Sequence, residues 1–248
     1  MIETRHISKG FNSSKVIKDI NVTFDRGKTN LIIGPSGSGK TVLMKCIVGL
    51  LNVDEGQILY DNRLFTGMSF NEKKIIRQEI GMMFQGSALF DSMTVEENVM
   101  FPLTMFTPKT QEEKLERVNF CLKRVNLVNV NKLYPAELSG GMKKRVAIAR
   151  AIAMNPSYLF CDEPNSGLDP KTSILIDNLI SEITQEYQMT TVINTHDMNS
   201  VIEIGDKIAF IFKGKLWWMG DKYEILDTDN EELNNFVYAT ELTRRLKK

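Results

Sequence analysis

The sequence predicts an α/β protein in which a mostly parallel sheet carries helices on its faces, with a small antiparallel β subdomain and a helical insert. Three observations predict it. Short apolar runs of strand character alternate with helical stretches, and each run ends in polar residues. A glycine-rich loop joins one such run directly to a helix. Residues from about 88 to 155 hold no convincing strand and read as helical.

Taken in order, Ile2 to Ile7 and Ile20 to Phe24 read as strands of the antiparallel sheet. Thr29 to Ile33 (TNLII) is a short β run stopped by Gly34, and Thr41 to Leu51 then reads as a buried helix. In the insert, Gln111 to Val125 spaces its apolar residues near 3.6, and Val146, Ala149, Ile152 and Ala153 also recur at helical spacing. Tyr158 to Cys161 (YLFC) and Thr191 to Asn194 (TVIN) are two further buried strands. Ile208 to Phe212 and Leu216 to Met219 form a hairpin joined at Lys213-Gly214-Lys215, so adjacent Trp217 and Trp218 face opposite sides, with one ring exposed. Leu233, Phe236, Val237 and Thr240 stand at i, i+3, i+4 and i+7, a short amphipathic helix ahead of basic TRRLKK. The organisation is one domain over 1–220, its core and β subdomain drawn from 1–87 and 156–220 and its insert from 88–155. A helical extension follows at 221–248.

Composition narrows the function classes. At about 150 residues per domain, 248 residues make one large domain or one domain with an insert. Hydrophobic residues at 42% and charged residues at 25% exclude collagenous, coiled-coil and wholly disordered chains. Lysine plus arginine equals aspartate plus glutamate at 31 each, without the basic excess that a nucleic-acid partner requires. Cys46, Cys121 and Cys161 have no CxxC spacing and read as buried free thiols of a reducing cytosol. With only His6 and His196, no histidine-rich metal site can be assembled. No run approaches the roughly 18 apolar residues of a membrane span, and Glu3 and Arg5 stand where a signal peptide needs an apolar core. Work at a membrane would have to be borrowed from a partner.

Polar residues at the carboxyl ends of parallel strands are where chemistry gathers in such sheets. Gly34-Pro35-Ser36-Gly37-Ser38-Gly39-Lys40-Thr41 matches GxxxxGK[ST] after a strand and before a helix. The glycines let consecutive backbone N–H groups turn inward on phosphate, and the following helix adds the positive end of its dipole. Lys40 is placed to reach β and γ phosphates and Thr41 to coordinate Mg²⁺. The strand YLFC runs into Asp162 and Glu163, adjacent acids suited to two tasks: Asp162 on the metal side and Glu163 as general base. Ser139, in Leu138-Ser139-Gly140-Gly141-Met142, is a natural N-cap whose two glycines open a second anion site at a helix start. A nucleotide cradled by one such loop needs no second helix terminus from its own chain unless two chains meet.

These motifs, with Pro164-Asn165-Ser166-Gly167-Leu168-Asp169 after the acidic strand end and His196 after TVINT, resemble the ATP-binding subunit of an ABC transporter from about residue 1 to 220. The resemblance implies a RecA-like P-loop NTPase core that uses ATP and Mg²⁺. It further implies Phe11 as the aromatic on adenine, Gln85 as the residue sensing Mg²⁺ and γ phosphate, Ser166 to Asp169 as a loop across a dimer interface, and His196 as the γ-phosphate switch. Phe11 reads equally as a core aromatic and Gln85 also as polar surface, whereas His196, at a strand end, reads as functional over a merely structural histidine. In the implied mechanism a homodimer sandwiches each ATP between Gly34 to Thr41 of one copy and Ser139 to Gly141 of the other, and hydrolysis opens it.

The stretch Gly86 to Val99, with Phe101-Pro102-Leu103, is similar to the ATPase of the bacterial Mla-type system, which moves phospholipids between inner and outer membranes. That similarity implies integral-membrane permease partners and a place on the cytoplasmic face of the inner membrane, held there only through the permease. Phe90, Met93, Met100, Phe101, Met105 and Phe106 read either as the grip on a permease helix or as the insert's own core. An amino-acid or lipoprotein transporter, or a soluble ABC ATPase such as an iron–sulfur assembly subunit, would carry the same nucleotide motifs.

Overall fold

The computed structural model describes residues 1–12 and 14–238. A hairpin opens the chain: β1 (Ile2–Phe11) pairs antiparallel with β2 (Ser14–Phe24). After β3 (Thr29–Ile33) and α1 (Lys40–Ile47), β4 (Glu55–Tyr60) returns to β1 and carries β5 (Arg63–Leu64) on its other edge. The result is an antiparallel sheet in the order β2-β1-β4-β5. Next come α2 (Phe70–Gln78) and β6 (Ile80–Met83), then three helices, α3 (Val95–Phe106), α4 (Gln111–Arg124) and α5 (Gly140–Ile152). The chain closes with β7 (Tyr158–Asp162), α6 (Pro170–Glu186), β8 (Thr190–Asn194), α7 (Met198–Ile204), the hairpin β9 (Lys207–Phe212) and β10 (Lys215–Gly220), and α8 (Glu231–Val237).

The second sheet runs β10-β9-β3-β8-β7-β6, parallel except for β10. Its strands are buried on both faces, and their period of two sorts the core into two layers. Leu31, Ile33, Leu159, Cys161, Ile193 and Phe210 face α3–α6, whereas Ile32, Phe160, Val192, Ala209 and Ile211 face α1 and the antiparallel sheet. Local chemistry starts the insert helices where they begin. Thr94 with Glu97 and Thr110 with Glu113 form reciprocal capping boxes at α3 and α4, and the Ser139 hydroxyl accepts from Met142 N at α5.

Three expectations change. The helix expected over Thr41 to Leu51 ends at Ile47, because Gly49 takes φ +75° and the chain leaves helical geometry, exposing Leu50. The six-residue apolar set divides: Met100 is core, while Phe90, Met105 and Phe106 are exposed and Met93 and Phe101 are half-buried. The antiparallel strands run longer than their apolar stretches, since β1 and β2 continue to Phe11 and from Ser14 with exposed ends. Two further readings are met: all three cysteines are buried and free, and Trp217 is exposed while Trp218 is half-buried. Of the terminal amphipathic set, Leu233, Phe236 and Val237 lie in α8, with Thr240 and TRRLKK outside the described residues. Among the described residues no helix is long and apolar enough to cross a membrane.

Candidate functional site

Because β3, β6, β7 and β8 run parallel, their carboxyl ends meet at one edge of the sheet. From β3 comes the Gly34–Thr41 loop. Gly34 sits at φ +146°, and a Cβ there would lie 2.2 Å from the Ile211 carbonyl oxygen, so only glycine lets the loop leave the strand this close to β9. Lys40 is buried at the first turn of α1 and donates from Nζ to the Gly34 and Pro35 carbonyls at 2.8 and 3.1 Å. Burial pulls its pKa down, and the nearby Glu163 and Asp162 carboxylates oppose that. The Ser38 hydroxyl is buried without a hydrogen-bond partner, an orphan that a phosphate oxygen would satisfy.

Asn194, at the end of β8, joins the strand ends. Its Nδ2 donates to Asp162 Oδ1 at 2.7 Å and reaches Thr41 Oγ1 at 3.3 Å, holding a carboxylate and a hydroxyl on either side of one amide. These are the hard oxygen donors that Mg²⁺ prefers. No cluster of three or more His, Cys, Asp or Glu able to hold a metal exists among the described residues, so an ion here would share phosphate oxygens with its nucleotide. Sequence reasoning passed over Asn194; the signal was its position as the polar end of the TVIN run.

Glu163 is the first residue past β7 and adopts φ +50°, the left-handed region that costs a non-glycine residue roughly 1 kcal/mol. Its N–H donates to the Asn194 carbonyl at 2.8 Å. Its carboxylate meets His196 Nδ1 at 2.8 to 2.9 Å, with the acid largely shielded and the imidazole open to solvent. The acid and the histidine named from sequence are thus a hydrogen-bonded pair.

The second anion site is built elsewhere. Ser139 and Gly140 lie exposed at the start of α5, whose helix packs on α3, α4, α6 and β6, whereas α1 packs on β2 and β8. Gly141 faces Thr172 and Gly140 faces Leu168, so the loop Ser166–Asp169 lies directly against this helix start. Asp169 caps α6 by accepting from Thr172 N at 3.0 Å, and its bond from the Thr172 hydroxyl, followed by that N–H, holds its carboxyl below the usual range. Lys144, a buried residue missed in the sequence, extends from α5 to the Glu163 carbonyl at 3.4 Å and Ser166 Oγ at 3.2 Å.

Two sequence-named residues make no side-chain hydrogen bond to this group among the described residues. Phe11 ends β1 with 44% of its surface exposed and Lys9 Nζ 5.5 Å from its ring centre, so it is not a core aromatic. Gln85 follows β6 and is exposed. Beyond it the loop is pinned at both ends. Asn98 accepts from Phe90 N at 2.8 Å and donates to the Phe90, Met93 and Thr94 carbonyls, and Arg150 of α5 donates to the Ser87 and Ala88 carbonyls.

The sequence profile described as "ABC transporter" matches residues 17–166. The probable ribonucleotide transport ATP-binding protein mkl of Mycobacterium leprae is 35% identical over 236 residues, covering 95% of this chain and 68% of that protein. The methionine import ATP-binding protein MetN of Clostridium tetani is 38% identical over 242 residues, covering 98% of this chain and 76% of that one. This chain therefore spans about two thirds to three quarters of these relatives' lengths. A dimeric, post-hydrolysis structure of the ATP-binding cassette MJ0796 with ADP and Pi superposes with a TM-score of 0.81 at 32% identity, over 90% of this chain and 99% of that one. The structure of cbiO1 from Clostridium perfringens, part of the ABC transporter complex cbiONQ, gives 0.85 at 28% identity over 100% and 98%. With the family profile over more than half of its length and a dimeric, nucleotide-loaded cassette among its structural neighbours, this chain belongs to the ABC transporter ATP-binding family and is an ATPase working on ATP with Mg²⁺.

Proposed function

We propose that this chain powers a bacterial phospholipid transporter as a head-to-tail homodimer bound to permease subunits on the cytoplasmic face of the inner membrane. The observation that supports the dimer is that the two anion-binding helix starts belong to helices resting on different elements: α1 packs on β2 and β8, and α5 on the insert helices, α6 and β6. Each copy then offers one complete phosphate cradle and one open half-site, and pairing two copies supplies Ser139–Gly141 to the partner's nucleotide.

In this reading Gly34, Ser36, Gly37, Ser38 and Gly39 turn N–H groups on the phosphates, Pro35 shapes the loop, and Lys40 leaves its carbonyl partners for the β and γ oxygens. Phe11 stacks on the adenine from its exposed position. Thr41, Asp162 and Gln85 hold or sense the Mg²⁺, which when bound offsets phosphate charge and orients the leaving group. Glu163 orients and deprotonates water, His196 contacts the γ phosphate, and Ser166–Asp169 line the dimer interface. The Glu163–His196 contact at 2.8 Å supports pairing these two roles, because one hydrogen bond fixes both side chains.

The cargo reading rests on the loop after Gln85. Phe90 and Phe101 rings pack 4.9 Å apart, and Met105 and Phe106 extend the exposed apolar surface along α3, a shape suited to a permease helix. The relatives' names point to ribonucleotide and methionine transport in those proteins, so an importer of small polar molecules is the second reading. Co-purification with its permease, followed by ATPase assays in vesicles with phospholipid, methionine or nucleotide supplied, separates them. Stimulation by phospholipid alone is expected; stimulation by methionine or nucleotide instead refutes the lipid reading. Glu163→Gln tests the engine separately: the expected result is retained ATP binding, lost turnover and a trapped dimer, and retained hydrolysis would reassign the base.

A further inference from the structure

Just past Gln85 the chain makes three left-handed residues in succession: Gly86 at φ +73°, Ser87 at +70° and Ala88 at +44°. Glycine adopts that backbone freely, whereas a Cβ on serine or alanine crowds the following carbonyl. The alanine has no polar side-chain atom to recover the loss through a local hydrogen bond. Backbone of this kind persists where its surroundings over-determine it.

Among the described residues, three attachments hold the turn. The Ser87 N–H donates to the Phe84 carbonyl at 3.0 Å, and Asn98 accepts from the Phe90 N–H at 2.8 Å. Between them comes Arg150, in the last turn of α5. It donates from Nη1 to the Ala88 carbonyl and from Nη2 to the Ser87 carbonyl, both at 2.9 Å, and its guanidinium stands 5.8 Å from the Phe90 ring centre. Burial pulls the pKa of this guanidinium down, so the charge is kept in place at a cost. Its two acceptors belong to the two strained non-glycine residues. A flat guanidinium grips two carbonyls at once in a fixed geometry, which an ammonium cannot do. Gln85 stands two residues past the end of β6 and directly before the turn, so the grip sets how the chain departs from the strand end.

We propose that Arg150 is a positioning residue for ATP hydrolysis: by gripping the Ser87 and Ala88 carbonyls it keeps the turn at 86–88 left-handed and so fixes where Gln85 stands. This rests on the reading of Gln85 as the residue that senses Mg²⁺ and γ phosphate. Arg150 itself touches no nucleotide in that arrangement, so its loss is felt in turnover and in Mg²⁺ dependence, while ATP affinity is spared.

The test uses the full chain with its co-purified permease, measuring kcat and KM for ATP, the Mg²⁺ concentration at half-maximal rate, and the thermal midpoint. Arg150→Met keeps an apolar stem of similar reach and should lower kcat by about tenfold and raise the Mg²⁺ requirement by about fivefold, with KM within about twofold. Arg150→Lys keeps the charge but not the two-pronged grip and should fall between the two. Adding Ala88→Gly to Arg150→Met should bring kcat back to within about threefold of the parent, because glycine holds the turn without the crowding that the grip opposes. Combining Arg150→Met with Gln85→Ala should cost no more than Gln85→Ala alone, since both remove one contribution, whereas a loss of general stability would add to it. Parental kcat and Mg²⁺ dependence in Arg150→Met, losses that follow the thermal midpoint, additive losses with Gln85→Ala, or no recovery with Ala88→Gly would each overturn the proposal. If Gln85→Ala is itself parental, the Gln85 reading fails and takes the proposal with it; if Gln85→Ala is impaired while Arg150→Met is fully active, only the grip fails.

Discussion

Replacing Asp177 by leucine should stabilise the protein, and by an amount that grows with pH. The carboxyl is 1% exposed, so solvent screening discounts little of its cost. Its pKa rises from an ordinary 3.8 to about 6, first through burial, with Asp197 and Glu203 adding to the rise and the Ser200 and Asn165 hydrogen bonds opposing it. A carboxyl whose pKa is raised on folding leaves stability intact below the unfolded value and costs stability as pH climbs through the folded one. At about 1.4 kcal/mol per pH unit, the cost is roughly 1.5 kcal/mol at pH 5 and about 3 kcal/mol at pH 8. Leucine removes that cost at every pH, while its own packing changes are the same at both. Urea or thermal denaturation of parent and variant at pH 5 and pH 8 isolates the difference. The variant's advantage should be larger at pH 8 by about 1.5 kcal/mol, or roughly 3 to 6 °C in midpoint for a chain of this size. An advantage that is equal at the two pH values, or larger at pH 5, would refute the claim that burial raises this carboxyl's pKa.

Three further outcomes are expected. Lys40→Ala removes charge-assisted phosphate contacts worth about 1.5 to 3 kcal/mol, so ATP affinity measured by nucleotide fluorescence should fall about tenfold or more. Asn194→Ala frees Asp162 from its 2.7 Å bond, and the Mg²⁺ concentration giving half-maximal ATPase activity should rise about tenfold. Asn98→Leu orphans the Phe90 N–H and carbonyl that the amide now satisfies; pull-down should show weakened permease association, with ATP binding by the free chain unchanged.

The nucleotide loop could be read from sequence because phosphate binding by consecutive N–H groups needs its residues contiguous, and Gly34 to Thr41 are. The same holds for Ser139 to Gly141 at a helix start. What escaped reading depends on distant strands meeting. Asn194 matters because β8 lies between β3 and β7, placing its amide between Thr41 and Asp162. Lys144 looks like an ordinary polar residue until α5 is packed beside the loop after β7. Ile80–Met83 joins the sheet as four residues without β-branched alternation and with Gly81 in place of a side chain, so its strand character comes from the β7 edge rather than from its own sequence. Phe11 shows the opposite limit: sequence could not separate a core ring from an exposed one, and solvent exposure does.

Lys144 ties the helix that starts at Ser139 to the carbonyl of Glu163 and the hydroxyl of Ser166 within one chain. In the head-to-tail pair proposed above, that helix start would serve the other molecule's nucleotide, and Lys144 would link the neighbour's pocket to the Glu163 loop of its own chain. Under that pairing the two pockets would not fire independently, and turnover is expected to rise cooperatively with ATP rather than along a simple hyperbola.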